Sequence, residues 1–117
     1  MAYDVRQMLK DFTSGLTIMG RTHGEEVNAF FNLLGKNYAP GALDVKTKEL
    51  ISVGIAVFSR CEYCIVYHVY KALGAGANRD EIIESAMVAV AFGGGPSMAY
   101  TVTLLHESVQ EFEKDFQ

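Results

Sequence analysis

Glu49-Leu50-Ile51-Ser52-Val53-Gly54-Ile55-Ala56-Val57-Phe58-Ser59-Arg60-Cys61-Glu62-Tyr63-Cys64-Ile65-Val66-Tyr67-His68 decides the fold of this chain. Leu50 to Phe58 is apolar on nearly every side, with Ser52 inside it, and reads as a buried helix. A short break at Ser59-Arg60 leads into a second helical run from Cys61 to about Leu73, closed by Gly74 and Gly76. Two helices joined by so short a link form an antiparallel hairpin. The midpoint falls near residues 58 to 59, which sets Glu49 and His68 at similar heights on its two arms. Glu49 is also the last charge before the apolar stretch. A carboxylate facing a histidine across a hairpin can orient the ring, fix its tautomer and stabilise its protonated form.

Cys61, Cys64 and His68 stand at i, i+3 and i+7 on a helix that starts at about residue 61, so they line up on one face. Thiols three residues apart can close a disulfide within one turn. The start of a helix stabilises a thiolate, and a histidine one turn on can accept or return its proton. These are the only cysteines in the chain. The pattern points to thiol-disulfide chemistry, with contacts running from Glu49 to His68 to Cys64 and Cys61 close by.

Outward from the hairpin the spacing of apolar residues predicts helices and no strand. One runs from about Asp4 to Met19, with Val5, Met8, Leu9, Phe12 and Leu16 on a face, and Gly20 stops it. A second covers about Gly24 to Lys36, with Val27, Phe30, Phe31 and Leu34 on a face, and Asn37 to Ala42 reads as a loop around Pro40-Gly41. Asp44 is the expected N-cap of the third, apolar helix, and Asn78 that of a fifth, which has Asp80 and Glu81 in its first turn and ends near Phe92. Gly93-Gly94-Gly95 breaks the chain. Pro96 or Ser97 opens a last helix to about Lys114. With no strand before it and no Gly-Lys-Ser/Thr after it, the triple glycine reads as a helix break and not as a phosphate loop. The expectation is an all-α, single-domain bundle of about six helices over residues 1–117. The third and fifth helices are apolar nearly all round, and a chain of this size has difficulty surrounding both, so a homo-oligomer is expected to cover the rest.

Half of the 117 residues are hydrophobic, 21% are charged and the formal net charge is −4. That composition describes a globular chain, and the scattered Lys and Arg give no nucleic-acid surface. Asp4, Arg6, Lys10 and Asp11 interrupt any signal-peptide core, and Leu50 to Phe58 is about half of the ~20 residues a membrane span needs. No membrane association is expected and the expected compartment is the cytoplasm. There a lone Cys-x-x-Cys is more often catalytic or metal-binding than structural.

The spacing Glu49, Cys61, Cys64, His68 resembles the Glu-x11-Cys-x2-Cys-x3-His signature of the alkyl hydroperoxidase D branch of the carboxymuconolactone decarboxylase family. Thr47-Lys48-Glu49-Leu50-Ile51, Ala72-Leu73-Gly74-Ala75-Gly76-Ala77 and Asp80-Glu81-Ile82 are similar to that family's pattern as well, so the likeness covers about Lys46 to Phe92. The resemblance implies an all-α fold in trimers or hexamers, a reversible Cys61–Cys64 disulfide, and reduction of a hydroperoxide by a dithiol donor, lipoyl or thioredoxin-like. Glu49 and His68 would match the family's proton relay. No cofactor and no metal is implied. Of the two thiols, Cys64, with His68 at i+4, is expected to attack the peroxide, and Cys61 to resolve it and meet the reductant. One departure stands out: the residue before the second cysteine is Tyr63, where the peroxidase branch has histidine. A phenol with an ordinary pKa near 10 does not replace that base at neutral pH.

Three other readings compete. The family name points to lactone decarboxylation, but its true decarboxylases generally lack the cysteine pair. A zinc module would use Cys61, Cys64 and His68 with His23 or His106 as the fourth ligand, but the second paired motif usual in such sites is missing. A redox sensor would use the same dithiol without turnover.

Overall fold

A computed structural model describes residues 3–117, and among these every regular element is a helix. The elements are α1 (Val5–Gly20), α2 (Gly24–Tyr38), α3 (Val45–Ser59), α4 (Glu62–Gly74), α5 (Arg79–Gly93), α6 (Gly95–Tyr100) and α7 (His106–Phe112). A π-helical turn, Thr101–Leu105, joins α6 to α7, and a 3-10 turn, Glu113–Phe116, follows. Tyr100, Thr101, Leu105 and His106 all keep right-handed helical dihedrals, so the last segment is one continuous rod. The expected bundle of six is therefore present. The last rod differs in starting at Gly95 and in containing a π turn; along it the Thr101, Thr103 and Ser108 hydroxyls donate to carbonyls four residues earlier.

Local chemistry sets the ends. The Asp44 carboxylate accepts the Thr47 N–H at 2.8 Å and caps α3. Asn78 and Glu81 form a reciprocal capping box at α5, each side chain accepting the other's backbone N–H. α2 runs two residues past the expected Lys36, to Tyr38. Ala39 then turns extended (φ −59°, ψ 141°), the conformation that a following proline enforces. After α5 the break is steric. A Cβ on Gly93 would stand 1.9 Å from Ser97 Oγ, and Gly94 has φ +65°.

The core lies where α3, α4, α5 and the last rod meet. Val53, Val57, Ile65, Val66, Val69, Ile82, Leu104, Leu105 and Phe112 are all sealed from solvent there. Each such side chain contributes about 1.5–3 kcal/mol of burial before chain entropy opposes it. α3 and α5 approach closely, for a Cβ on Gly54 would meet the Ser85 carbonyl at 3.3 Å.

The other pair of helices is different. α1 buries only Val5, and α2 buries no residue completely. Phe30 and Phe31, expected on a packed face, are 43% and 44% exposed in the single chain. The radius of gyration is 14.3 Å, against about 13 Å for a compact chain of this length, which fits an arm standing off the body.

Candidate active site

Three elements bring the site together. α3, oriented by its Asp44 cap, carries Glu49 in its second turn on the side facing α4, where it is only 3% exposed. The helix ends with Arg60 in the left-handed region (φ 57°), and the Cys61 N–H donates to the Ala56 carbonyl at 3.2 Å. That turn sets Cys61 at the start of α4. Cys61 is the N-cap (φ −91°, ψ 103°), not the first helical residue that the spacing suggested. Its Sγ accepts the Cys64 N–H at 3.3 Å, the role a serine or aspartate oxygen more often fills.

Cys61 and Cys64 are joined by a disulfide, with their Cα atoms 5.2 Å apart. Cys64 packs against the hydrophobic core. One turn further along α4, His68 Nδ1 lies 2.8 Å from Glu49 Oε1, so the facing expected across the hairpin is a hydrogen bond. Both side chains are largely withdrawn from water, at 18% and 4% exposed. An ionised carboxylate only accepts, so this bond places the proton on Nδ1 and leaves the lone pair of a neutral ring on Nε2.

Sequence spacing missed the groups around the ring. Tyr38, from the end of α2, stacks on His68 with centroids 5.8 Å apart and planes at 16°. Tyr67 presents an edge-to-face contact at 5.2 Å and is backed by Phe12 of α1. Burial, and then the charge of Glu49, raise the Tyr67 phenol above its ordinary pKa, so it stays neutral. The Tyr38 hydroxyl is hydrogen-bonded to Ser52 Oγ, which donates to the Lys48 carbonyl at 2.9 Å. Ser52 had a signal, as the polar residue in an apolar helix. Tyr38 had none, because its partners are distant in sequence. Tyr63, in the position of the peroxidase histidine, is 45% exposed.

Among the described residues no group of three or more His, Cys, Asp and Glu side chains is arranged to hold a metal ion. The zinc set with His23 or His106 is therefore not assembled. His23 is the N-cap of α2, with its Nδ1 2.9 Å from Thr22 Oγ1. No helix among the described residues is long and apolar enough to cross a membrane.

Residues 25–107 match the model of the carboxymuconolactone decarboxylase family. The chain belongs to that family. A family member from Legionella pneumophila has 36% sequence identity to it and superposes with a TM-score of 0.88, covering 93% of this chain and 96% of that one. A Thermotoga maritima member, suggested to take part in an antioxidative response, has 34% identity and a TM-score of 0.74 over 92% of this chain and 93% of its own. An uncharacterised protein of Cupriavidus necator is 28% identical over 100 residues, 86% of this chain and 88% of that protein. The family match includes Glu49, both cysteines and His68, so all four lie inside the domain this member shares with its relatives.

Proposed function

We propose that this family member is a thiol-dependent peroxidase whose redox centre is the Cys61–Cys64 pair and whose proton relay is Glu49–His68. The observation that carries the reading is the disulfide at the start of α4 with a carboxylate-anchored histidine one turn beyond it. The suggested antioxidative role of the Thermotoga maritima relative points the same way.

In the reduced state Nε2 of His68 takes the Cys64 proton, and the Glu49 carboxylate stabilises the imidazolium that results. The Cys64 thiolate attacks the terminal peroxide oxygen. The O–O bond breaks, the alkoxide leaves as an alcohol with the proton from His68, and Cys64 is left as a sulfenic acid. The Cys61 thiolate then attacks that sulfur, and the sulfenic oxygen departs as water with one more proton. The pair has lost two electrons and the peroxide has gained them. A dithiol donor, lipoyl or thioredoxin-like, reopens the disulfide by exchange and is itself oxidised.

Placement supports this division of labour between the thiols: Cys64 packs on the core one turn before His68, and Cys61 sits on the capping turn, both half-buried. The assembly we propose is a homo-oligomer, trimer or hexamer, acting in the cytoplasm. The deciding experiment is consumption of cumene hydroperoxide with dihydrolipoamide, thioredoxin or dithiothreitol as donor. Multiple turnovers that vanish in both Cys61→Ser and Cys64→Ser support the reading, whereas a single stoichiometric oxidation would leave a sensor.

A further inference from the structure

We propose that Tyr38 is the positioning residue of the His68 ring, a role that deepens the peroxidase reading and rests on it for its consequence in catalysis. One hydrogen bond, from Nδ1 to Glu49, holds one edge of the imidazole and leaves its faces unsupported. Support for a face needs a flat surface against it. Tyr38 supplies it, near parallel at 16° and 5.8 Å, while Tyr67 abuts the ring edge-to-face.

Tyr38 is itself held more firmly than the rest of its helix. α2 has no fully buried residue, so general packing does not fix its end. Specific bonds do. The hydroxyl pairs with Ser52 Oγ, and Lys48 Nζ donates to the carbonyls of Asn37 and Ala39, the residues on either side, at 3.0 and 2.7 Å. Lys48 and Ser52 belong to the same stretch of α3 that carries Glu49. Glu49, at the edge of His68, and the anchors of Tyr38, on its face, therefore lie on one stretch of α3.

The side chains set against His68 are Glu49 from α3, Tyr38 from α2 and Tyr67 from α4 itself. Only Tyr38 can be changed without removing a thiol, the carboxylate or a residue of the His68 helix.

The test uses the reduced full-length protein and two readouts that need no peroxide. These are the His68 titration followed by its imidazole proton resonances, and the rate of Cys64 alkylation by iodoacetamide against pH in a Cys61→Ser background. Tyr38→Phe keeps the ring and is expected to stay within about two-fold of the parent in rate. Tyr38→Leu is expected to shift the His68 imidazole resonances and to slow alkylation at pH 7 about ten-fold. Tyr38→Met, which fills the space without a ring, repeats the test if the leucine variant does not fold. A Leu or Met variant with the parent's His68 titration and pH profile, however much its melting temperature falls, would reduce Tyr38 to a packing residue. A phenylalanine variant as impaired as the leucine one would overturn the stacking argument and leave the effect to the hydroxyl. If the shifts are found but no donor supports peroxide turnover, the peroxidase reading fails and the positioning role stands.

Discussion

Glu49 and His68, on neighbouring antiparallel helices, meet in a 2.8 Å hydrogen bond that takes a carboxylate almost wholly out of water. A buried carboxylate is costly unless it is paired, so each residue is expected to depend on the other. His68→Ala leaves the carboxylate without its partner and is expected to lower stability by about 1–3 kcal/mol. In thiol reactivity at pH 7, Glu49→Gln and His68→Ala are each expected to slow Cys64 thiolate formation, and the double variant to cost little more than the worse single one. Additive losses, read from alkylation rates, would show two independent contributions.

The cysteine pair has a plain chemical signature. Oxidised protein should take up no alkylating label, and reduction should add two, read as intact mass. Peroxide added to the reduced protein should return it to the unlabelled form through the Cys61–Cys64 bond. A peroxide-treated sample that still labels fully would exclude the redox cycle.

Gly93 is fixed by space. A methyl group there would stand 1.9 Å from Ser97 Oγ and 3.0 Å from its Cβ, and Ser97 is buried. Gly93→Ala is expected to destabilise by about 1–3 kcal/mol, as overpacking of a tight site does. Ser97→Ala in the same chain should recover part of that loss and Ser97→Gly more of it, measured by urea unfolding.

Acid sensitivity follows from the surface carboxylates. Hydrogen bonds from Arg6 hold Glu111 and Asp115 below their ordinary pKa values, and Lys46 does the same for Glu81. Groups depressed in the folded state contribute stability that is complete above the unfolded values of about 4 and is lost as pH falls through the folded ones. The melting temperature should therefore be flat with respect to these groups from pH 7 to about 5 and decline below that. Arg6→Ala should flatten part of the acid limb, and an unchanged limb would remove the Arg6 cluster from the explanation.

The outer faces of α3 and α5 point to assembly. Ile55, Val88 and Phe92 are 62%, 63% and 82% exposed in the single chain, and they line an apolar groove of about 620 Å³ together with Ile51 and Phe58. Isolated soluble chains seldom leave so continuous an apolar patch uncovered. Light scattering at low micromolar concentration should give a multiple of 12.9 kDa. Phe92→Lys should shift it toward the monomer. A monomeric parent would overturn the burial argument.

Much of this was legible in the chain because it depends on neighbours in sequence. The apolar run in α3, the short link at Ser59-Arg60 and the spacing of Glu49 and His68 are local, and together they dictate a hairpin that closes the 2.8 Å contact. The caps at Asp44 and Asn78 are local too, since each side chain bonds a backbone N–H three residues on. The role of Cys61 as an N-cap, in contrast, needed the backbone path out of α3. The wall of the site is not local at all. Tyr38 stacks on His68 from another helix, and no periodicity in α2 announces a ring whose partners, Ser52 and His68, lie on α3 and α4. The exposure of Phe30 and Phe31 was likewise beyond reach, because an apolar pattern in α2 shows that a face seeks cover and not whether its own chain has enough surface to supply it.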